Sequence, residues 1–376
     1  MVTKTANYDL SARNTFRMQV HCALYVEVTE EADLPALDWD SLPQPVLVMG
    51  GGSNLLFTRD FPGTVLHVAA DTTAFGGTPF ASLSPAPPTA DAAGPSPYPC
   101  AGVHMSSEGS GTCLVTLSAG VVFDEFCAWA AEEGLWGPEN LSLIPGEVGA
   151  SAVQNIGAYG VEAKDIIASI RAYDRTTGQF VTIDPATCAY GYRTSKFKTE
   201  WKGRYVITAV TYRLSRTPQP RLDYGGVRKA LEESGKGTSP LSPTDIRQAI
   251  IGIRRKKLPA VEELGSAGSF FCNPVISREH FQRIVDTARA DNGPDYQVPH
   301  YEVGDRIKVP AAWMIEQCGF KGARNGGAQV YQNQPLVIVN ASGTALPEDV
   351  IGLEQQIIQH IQAKYGITLH PEVEHV

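Results

Sequence analysis

Alternating apolar and polar positions predict short β-strands through the first 214 residues of the chain. The clearest run covers residues 206–214, where Val206, Val210 and Leu214 share one face because side chains alternate along a strand. Short apolar or strand-like runs predict further strands at residues 23–28, 46–49, 65–68, 114–119, 166–173 and 179–183. This part of the chain is therefore expected to be mainly β structure.

Apolar residues spaced three and four apart predict helices, most of them in the last third of the chain. One such stripe over residues 123–130 predicts a helix that ends at Gly134. Ser242 and Asp245 form a capping box in front of a stripe of isoleucines. Further helices are predicted to begin near Ser277, Pro310 and Pro347. The mixed order of strands and helices indicates an α+β fold without a regular βαβ winding.

The distribution of proline divides the chain. Seven of the 26 prolines lie between Asp71 and Gly111, in a stretch rich in Ala, Ser, Thr and Gly. Such a stretch buries too little apolar surface to fold alone, so residues 71–112 are expected to form an inserted Pro/Ala-rich loop. A second break lies at residues 233–243. With 376 residues, the chain is long enough for two or three domains.

Charge and cysteine usage narrow the class of protein. The chain has 31 Lys and Arg against 40 Asp and Glu, a formal charge of -9 without a long basic tract, which argues against a nucleic-acid partner. The seven cysteines contain no CxxC pair, and HExxH and EF-hand patterns are missing, so no metal is expected. No signal peptide or membrane-spanning run is visible, and scattered cysteines suit a reducing cytosol, so a cytoplasmic location is expected.

The first glycine cluster, GGGSN at residues 50–54, follows an apolar strand. It lacks the third glycine of a dinucleotide fingerprint and the Gly-Lys-Ser/Thr of a Walker A loop. Glycines here still allow backbone N–H groups to approach a pyrophosphate closely, with the Ser53 hydroxyl as a further donor. A tight strand-ending turn without a ligand is the alternative.

Two further clusters combine glycine with small polar residues. GPENLSLIPGEVGAS and QNIGAYG, between residues 137 and 160, form either a wall for a large hydrogen-bonding ligand or an irregular packed loop. GSAGSFFCNP at residues 265–274 places Ser269 between a glycine and two aromatic residues. A turn residue is the simplest interpretation of this serine taken alone, since no GxSxG elbow surrounds it.

A few isolated polar residues could bind or stabilise an anion. Arg193 lies in YGYRTS, Tyr224 precedes two glycines, and Glu372 follows His-Pro near the end of the chain. The basic run RRKK at residues 254–257 closes the helix that Ser242 caps. Each also has a plain structural interpretation, because cations in a last helical turn complement the helix dipole and a lone Arg or Glu is commonly a surface residue.

Taken in order, these segments resemble one family, the UDP-N-acetylenolpyruvoylglucosamine reductases. The shared motifs are NTF (14–16), GGGSN, GPENLSLIPGEVGAS, QNIGAYG, YGYRTSKFK, KLP (257–259), GSAGSFFCNP, WMIEQCGFKG (313–322), GGAQV (326–330) and PEV (371–373). They span nearly the whole chain, and the ordered set is far more specific than any single motif. Tyr224 with its two glycines resembles the family form that has a substrate-clamping tyrosine loop, whereas the proline-rich stretch is longer than the family pattern.

The resemblance implies a fold and a domain order. The expected fold is α+β, with a two-part FAD-binding module of the PCMH type and a third α+β domain that binds substrate. Residues 1–70, joined by the C-terminal segment 367–376, are expected to form the first FAD-binding subdomain. Residues 113–217 are expected to form the second, and residues 218–366 the substrate-binding domain, with residues 71–112 as the insertion.

The resemblance also implies a reaction. NADPH reduces bound FAD, and the flavin then delivers hydride to C3 of UDP-N-acetylglucosamine enolpyruvate, which gives UDP-N-acetylmuramate for peptidoglycan synthesis. Arg193 is expected to hold the carboxylate, Ser269 to donate a proton to C2, and Glu372 to assist as an acid. The expected FAD-binding residues are Gly50, Gly51, Gly52, Ser53, Asn54, Pro145, Gly146, Gly149, Ala150, Ser151, Asn155 and Gly157. The expected substrate-binding residues are Tyr159, Tyr224, Lys257, Asn273 and Gln334.

Two other classes of protein stay open from the residues alone. An FAD-linked oxidase of a sugar or small alcohol would share the glycine-rich flavin loop without needing GSAGSFF and PEV together. A non-catalytic nucleotide-sugar-binding protein would be expected to have lost Ser269, Arg193 or Glu372, and all three are present. The reductase is expected to act as a cytoplasmic monomer on NADPH and its nucleotide sugar, without nucleic acid or membrane as partners.

Overall fold

The computed structural model describes residues 1–69, 103–109, 111–237, 240–261 and 263–376 of the chain. The β-strands in these ranges are β1 (Val2–Asp9), β2 (His21–Val28), β3 (Val46–Val48), β4 (Leu55–Leu56), β5 (Phe61–Val68), β6 (Val103–Ser107), β7 (Thr112–Ser118), β8 (Gly157–Ala158), β9 (Val161–Glu162), β10 (Ile167–Asp174), β11 (Gln179–Ile183), β12 (Tyr205–Ser215), β13 (Gly265–Ser269), β14 (Val275–Ser277), β15 (Tyr301–Val303), β16 (Arg306–Lys308), β17 (Arg324–Asn325), β18 (Ala328–Val330), β19 (Val337–Asn340) and β20 (Glu374–His375). The α-helices are α1 (Phe123–Glu132), α2 (Val148–Gln154), α3 (Val227–Glu233), α4 (Pro243–Lys257), α5 (Arg278–Asn292), α6 (Ala311–Gln317) and α7 (Pro347–Tyr365).

The chain forms two compact units, each built from several segments. The first unit consists of Met1–Tyr8, Cys22–Gly51 and Pro62–Arg255. The second unit consists of Asp9–His21, Gly52–Phe61 and Lys256–Val376. The chain therefore passes between the units several times, and residues near in sequence, such as Gly51 and Gly52, can belong to different units.

The first unit contains two larger sheets. One has the strand order β1-β2-β5-β3 with β3 and β5 parallel, and the other has the antiparallel order β11-β10-β12-β7-β6. The alternation predicted for residues 206–214 is confirmed in β12, where Val206, Val210 and Tyr212 are fully buried. The Tyr212 ring stacks on Phe126 of α1, with the ring centroids 4.7 Å apart. The main core of this unit thus includes the contact between α1 and the five-stranded sheet.

α3 and α4 form a second, smaller core in the same unit. Ile246 of α4 packs with Leu231 of α3, and both side chains are buried. The predicted capping box is confirmed at the start of α4: Ser242 N donates to Asp245 Oδ2 at 3.0 Å, and Asp245 N donates to Ser242 Oγ at 3.2 Å. These two hydrogen bonds satisfy backbone groups that the first turn of a helix would otherwise leave unpaired.

The second unit contains a four-stranded sheet of order β13-β19-β18-β17, a three-stranded sheet of order β14-β16-β15, and the parallel pair β4 and β20. The three predicted helix starts are confirmed. Ser277 Oγ accepts from His280 N before α5, Pro310 precedes α6, and Pro347 opens α7, which ends at Gly366 with φ of 67°. The apolar stripe of α7 is buried at Val350, Leu353, Ile357 and Ile361.

Two helices and one strand differ from the sequence-based expectation. α2 has the sequence VGASAVQ, whose small residues give no apolar stripe, and α3 is only 7 residues long. β6 lies within residues 71–112, yet its backbone pairs antiparallel with β7. The expectation of a loop is therefore wrong for Val103–Ser107, because pairing to a neighbouring strand does not require that the segment fold alone. Residues 70–102 and 110, which include most of the predicted insertion, lie outside the described residues.

The boundaries of the two units differ from the predicted domain boundaries. Residues 218–237 and 240–255 belong to the first unit, although the sequence assigns them to the substrate-binding domain. The predicted break at residues 233–243 does separate α3 from α4, and its residues 238 and 239 lie outside the described residues. The assignment of domains to FAD and to substrate stays a prediction. None of the helices in the described ranges has the length and apolar character needed to cross a membrane.

Candidate active site

The glycine turn after β3 lies against the segment that leads into α2. A Cβ added at Gly50 would lie 3.0 Å from Glu147 Oε2, and one added at Gly51 would lie 3.6 Å from the Gly146 Cα. Within the described ranges, the backbone N–H groups of Gly50 and Gly51 donate to no protein acceptor. Neighbouring N–H groups on a tight turn can cradle a phosphate. These residues therefore fit the predicted contact with the pyrophosphate of FAD.

Residues 52–54 continue the turn in the second unit. Gly52 has φ of 60°, and a Cβ added there would collide with the carbonyl oxygen of Arg13. The position therefore favours glycine both by conformation and by space. Asn54 Nδ2 donates to the Glu372 carbonyl at 3.1 Å. The turn is thereby tied to the C-terminal segment that carries Glu372.

α2 lies close to the five-stranded sheet because of Gly149. A Cβ added there would lie 2.8 Å from the Cβ of Ala119. The Ser151 side chain is buried, and its Oγ bonds the Tyr212 hydroxyl at 2.7 Å. The hydroxyl of Ser151 thus already has a hydrogen-bond partner within the protein. The same stretch contains the predicted FAD-binding residues Pro145, Gly146 and Ala150. Direct contacts of this stretch with FAD stay predictions.

Asn155 follows α2 in a left-handed conformation, with φ of 46°. Its side chain is fully buried: Nδ2 donates to the Gly191 carbonyl at 2.8 Å, and Oδ1 accepts from Lys164 N at 3.1 Å. The bond to the Gly191 carbonyl holds the turn at residues 191–194, on which Arg193 lies. Asn155 therefore supports this loop, and its contact with FAD stays a prediction.

Arg193 has φ of 56° on that turn, and its guanidinium lies over Gly157. Arg193 Nη2 donates to the Gly157 carbonyl. A Cβ added at Gly157 would lie 2.8 Å from Arg193 Nη1, so the glycine leaves the space that the guanidinium occupies. The structure thus brings together two residues that the sequence placed in different motifs.

Arg254 of α4 belongs to the basic run at residues 254–257, which the sequence offered either as a possible anion site or as the end of a helix. Its side chain lies near that of Tyr159. Arg254 Nε is buried and has no hydrogen-bond partner among the described residues. Burial lowers the pKa of Arg254, and the charge of Arg193 lowers it further. Two nearby guanidiniums, one with an unpaired buried N–H, indicate a site for an anion. The sequence signal for Arg254 as a site residue was its spacing from Lys257, a predicted substrate-binding residue. Arg254 precedes Lys257 by about one helical turn, so the two lie on the same face of the helix.

Tyr224 lies beside Tyr159, between β12 and α3, and is 37% exposed. A Cβ added at Gly160 would lie 3.4 Å from the Tyr224 Cβ. A Cβ added at Gly225, where φ is 68°, would collide with the Tyr159 ring. The glycines therefore allow the two predicted substrate tyrosines to approach each other. Burial raises the pKa of Tyr159, so its hydroxyl stays protonated and can donate a hydrogen bond.

Ser269 and Glu372 are brought together in the second unit although they are remote in sequence. Ser269 ends β13, where it pairs with Val337 of β19. The carbonyl of the next residue, Phe270, accepts a hydrogen bond from Glu372 N at 2.8 Å. The backbone therefore places the two predicted catalytic residues on adjacent chain segments.

The other predicted substrate residues of the second unit have different surroundings. Asn273 Oδ1 accepts from Ala311 N at 2.8 Å and so caps α6. The Gln334 carbonyl accepts from Val337 N at 3.0 Å, in the turn that leads into β19. Lys257 is the exposed last residue of α4. Their contacts with substrate stay predictions.

Comparison with known proteins adds to this geometry. The family model "UDP-N-acetylenolpyruvoylglucosamine reductase, C-terminal domain" matches residues 259–376, and an FAD binding domain matches residues 106–184. The UDP-N-acetylenolpyruvoylglucosamine reductase of Bacteroides fragilis (strain YCH46) is 39% identical over 369 residues, which cover 97% of this chain and 98% of that protein. The reductase of Chromobacterium violaceum is 39% identical over 371 residues, 98% of this chain and 97% of that protein. The crystal structure of the reductase (MurB) from Thermus caldophilus aligns with a TM-score of 0.61 and 20% identity over 100% of this chain and 98% of that chain.

The α+β fold and the FAD-binding match define an FAD-binding protein, and its curated relatives are reductases. The extent of the identity shows more: the chain belongs to the UDP-N-acetylenolpyruvoylglucosamine reductase family. The predicted fold class, the enzyme class and FAD as the cofactor with NADPH as the reductant are thereby confirmed.

Proposed function

We propose that this enzyme reduces UDP-N-acetylglucosamine enolpyruvate to UDP-N-acetylmuramate with NADPH, in the synthesis of peptidoglycan precursors. Family membership supports the reaction. One observation carries the assignment of its residues, namely the hydrogen bond from Glu372 N to the Phe270 carbonyl, which sets Glu372 beside Ser269. Bound FAD supplies the hydride-transfer chemistry. The side chains must then bind the anionic substrate, orient it and supply a proton.

Arg193 is proposed to hold the enolpyruvyl carboxylate. The Gly157 carbonyl fixes one nitrogen of its guanidinium, and the planar group can still give a carboxylate paired hydrogen bonds, which a lysine cannot. Arg254 adds a second positive charge and a buried donor. Because negative charge grows on the substrate during reduction, these cations stabilise the transition state more than the ground state.

Ser269 Oγ is proposed to donate the proton to C2, with Glu372 as the acid that supports it. A neutral serine is a weak acid, so it needs a strongly basic carbon atom and a proton source at hand. The backbone pairing keeps Glu372 on the segment next to Ser269. This supports a short proton relay without a large movement of the chain.

The remaining contacts are proposed by position. Tyr224, Lys257 and Asn273 are assigned to the diphosphate and uridine end of the substrate, and Tyr159 and Gln334 to further substrate contacts. The pairing of Tyr224 with Tyr159 supports a clamp formed by two neighbouring tyrosines. The N–H groups of the glycine turn are assigned to the FAD pyrophosphate, since they offer donors without adding a net charge.

The location, oligomeric state and partners of the enzyme are also proposed. We assign a cytoplasmic monomer without metal, nucleic acid or membrane as partners. The net charge of -9 and the absence of a basic tract in the sequence support the absence of a nucleic-acid partner. Across the described ranges, no group of three or more His, Cys, Asp or Glu side chains could hold a metal ion.

Anaerobic flavin spectroscopy tests the reaction. NADPH should bleach the flavin absorbance of the FAD-loaded protein, and the enolpyruvyl substrate should restore it with formation of UDP-N-acetylmuramate. Protein that takes up no FAD, or flavin that stays reduced after the substrate is added, would contradict the proposal. Rapid oxygen consumption with a simple alcohol would favour an oxidase instead.

A further inference from the structure

A charged cluster in the first unit lies outside the residues assigned to the reaction. The His67 ring on β5 is flanked by two carboxylates: Nδ1 lies 3.4 Å from Glu27 Oε2, and Nε2 lies 3.1 Å and 3.2 Å from the two oxygens of Glu147. His67 is 6% exposed. The Tyr25 hydroxyl donates to Glu27 Oε2 at 3.4 Å. Two carboxylates and one phenol thus lie around His67.

The contacts with Glu27 and Glu147 bear on the charge of His67. An ionised carboxylate can only accept a hydrogen bond, so a ring nitrogen that faces one must donate. Both ring nitrogens donate only in the imidazolium form. Glu27, His67 and Glu147 together then carry one net negative charge, and they would carry two if a neutral side chain replaced the imidazolium.

Glu147 lies directly behind the glycine turn. Its Oε2 would be 3.0 Å from a Cβ added at Gly50, and its Oε1 would be 3.8 Å from one added at Gly51. These two glycines offer the N–H groups assigned above to the FAD pyrophosphate. A pyrophosphate is itself anionic, so an uncompensated carboxylate at this distance would oppose its binding. The positive charge of the His67 imidazolium offsets the charge of Glu147 and so weakens this opposition.

We propose that His67 is a positioning residue of the FAD site, which compensates the charge of Glu147 and fixes its carboxylate behind the turn. Glu27 holds the other side of the ring, so the imidazolium is oriented from both sides. This inference rests on the proposed placement of the pyrophosphate at Gly50 and Gly51. It assigns a cofactor-binding role to a cluster that contacts the turn from behind.

A double-mutant cycle on the apoprotein tests the role of charge. The dissociation constant of FAD is measured by calorimetry for the wild type, His67→Gln, Glu147→Gln and the double variant. His67→Gln should weaken FAD binding by roughly tenfold or more, since it leaves Glu147 uncompensated. The double variant should recover most of that loss, because the repelling carboxylate is gone. Glu147→Gln alone should bind FAD at least as tightly as the wild type.

Two controls separate charge from folding. His21→Gln removes another histidine that faces a carboxylate, Asp60 at 3.9 Å, and should leave FAD affinity unchanged. The melting temperature of each apoprotein is measured beside its affinity. A double variant as weak as His67→Gln, with equal melting temperatures, would overturn the proposal. If His67→Gln does not fold, weaker FAD binding by Glu147→Gln than by the wild type would overturn it equally.

One further variant separates this inference from the proposed FAD site. Gly51→Asp places a carboxylate on the turn itself and should weaken FAD binding more than His67→Gln does. Unchanged affinity in Gly51→Asp would show that the pyrophosphate lies elsewhere, which overturns the placement and this inference together. Weak binding in Gly51→Asp with wild-type binding in His67→Gln would overturn only the role of His67.

Discussion

The two units present their functional groups in different ways. In the first unit, Arg193 takes its position from a left-handed backbone conformation and from the space that Gly157 leaves for it. In the second unit, Ser269 and Glu372 take theirs from backbone hydrogen bonds between remote segments. The position of Arg193 in the first unit should therefore be sensitive to the shape of individual side chains. The positions of Ser269 and Glu372 in the second unit should be sensitive to changes of the backbone.

The largest effect is expected from Arg193→Lys. A lysine cannot give the paired hydrogen bonds of a guanidinium, and its different shape does not use the space over Gly157. We expect reoxidation of the reduced enzyme by substrate to slow by about 100-fold to 1,000-fold, with reduction by NADPH little changed. Stopped-flow absorbance of the flavin measures both steps.

Arg213→Lys is the matched control, since Arg213 pairs with Glu108 through an exposed ion pair in the same unit. It should leave both half-reactions at wild-type rates. If Arg193→Lys also reacts at the wild-type rate, the function of the first unit does not depend on the shape of this side chain. The proposed difference between the two units would then be wrong.

A smaller effect, on stability, is expected from Gly52→Ala in the second unit. The residue has φ of 60°, and the added methyl would collide with the Arg13 carbonyl, so the backbone must shift. We expect a loss of about 2–4 kcal/mol in the free energy of unfolding, measured by urea denaturation.

Gly343→Ala provides the comparison for this glycine. It has φ of 75° in the same unit, but an added Cβ would meet nothing within 4 Å. Gly343→Ala should lower the free energy of unfolding by only about 1–2 kcal/mol, the cost of holding a residue with a side chain in the left-handed conformation. Equal costs at the two positions would mean that the contact with Arg13 does not hold the turn in place.

The smallest effect concerns His375, which follows the Glu372 segment in β20. The hydrogen bond to Glu354 at 2.8 Å raises the pKa of His375 above its usual 6.5. A raised pKa means that the stabilisation is complete below pH 6.5 and is lost as the pH rises through the higher value of the folded state. The free energy of unfolding should therefore fall above pH 6.5, by less than about 1 kcal/mol because the ring is partly exposed.

His375→Gln should remove this pH dependence, as followed by urea denaturation at several pH values. His360→Gln, which changes an exposed histidine of α7 in the same unit, should keep it. If the wild type and His375→Gln show the same pH dependence, the ion pair does not contribute to fixing the C-terminal segment.

The elements whose signals are local could be predicted from the sequence. The capping box of Ser242 and Asp245 depends on residues three apart, and the buried face of β12 depends on alternation within one strand. α2 could not be predicted in this way, because its small residues owe their helical form to contacts with the sheet at Ala119. Close packing of this kind leaves no periodic apolar pattern.

The residues of the candidate site also differ in how far the sequence could predict them. Ser269 and Glu372 were predicted through a family resemblance, and no spacing in the chain indicates that their segments pair. The cluster of Glu27, His67 and Glu147 joins residues 40 and 80 positions apart, and a single acid or histidine carries no sign of such partners. Arg254 was named only as one member of a basic run that could bind an anion, and a basic residue near the end of a helix is equally explained by the helix dipole.

The most direct test of the account is the separation of the two half-reactions in Ser269→Ala. Substrate-dependent reoxidation of the flavin should slow by at least about 100-fold, because the proton donor is lost, while reduction by NADPH should stay within about twofold of the wild type. An equal slowing of both half-reactions, or reoxidation at the wild-type rate, would contradict the role assigned to Ser269 beside Glu372.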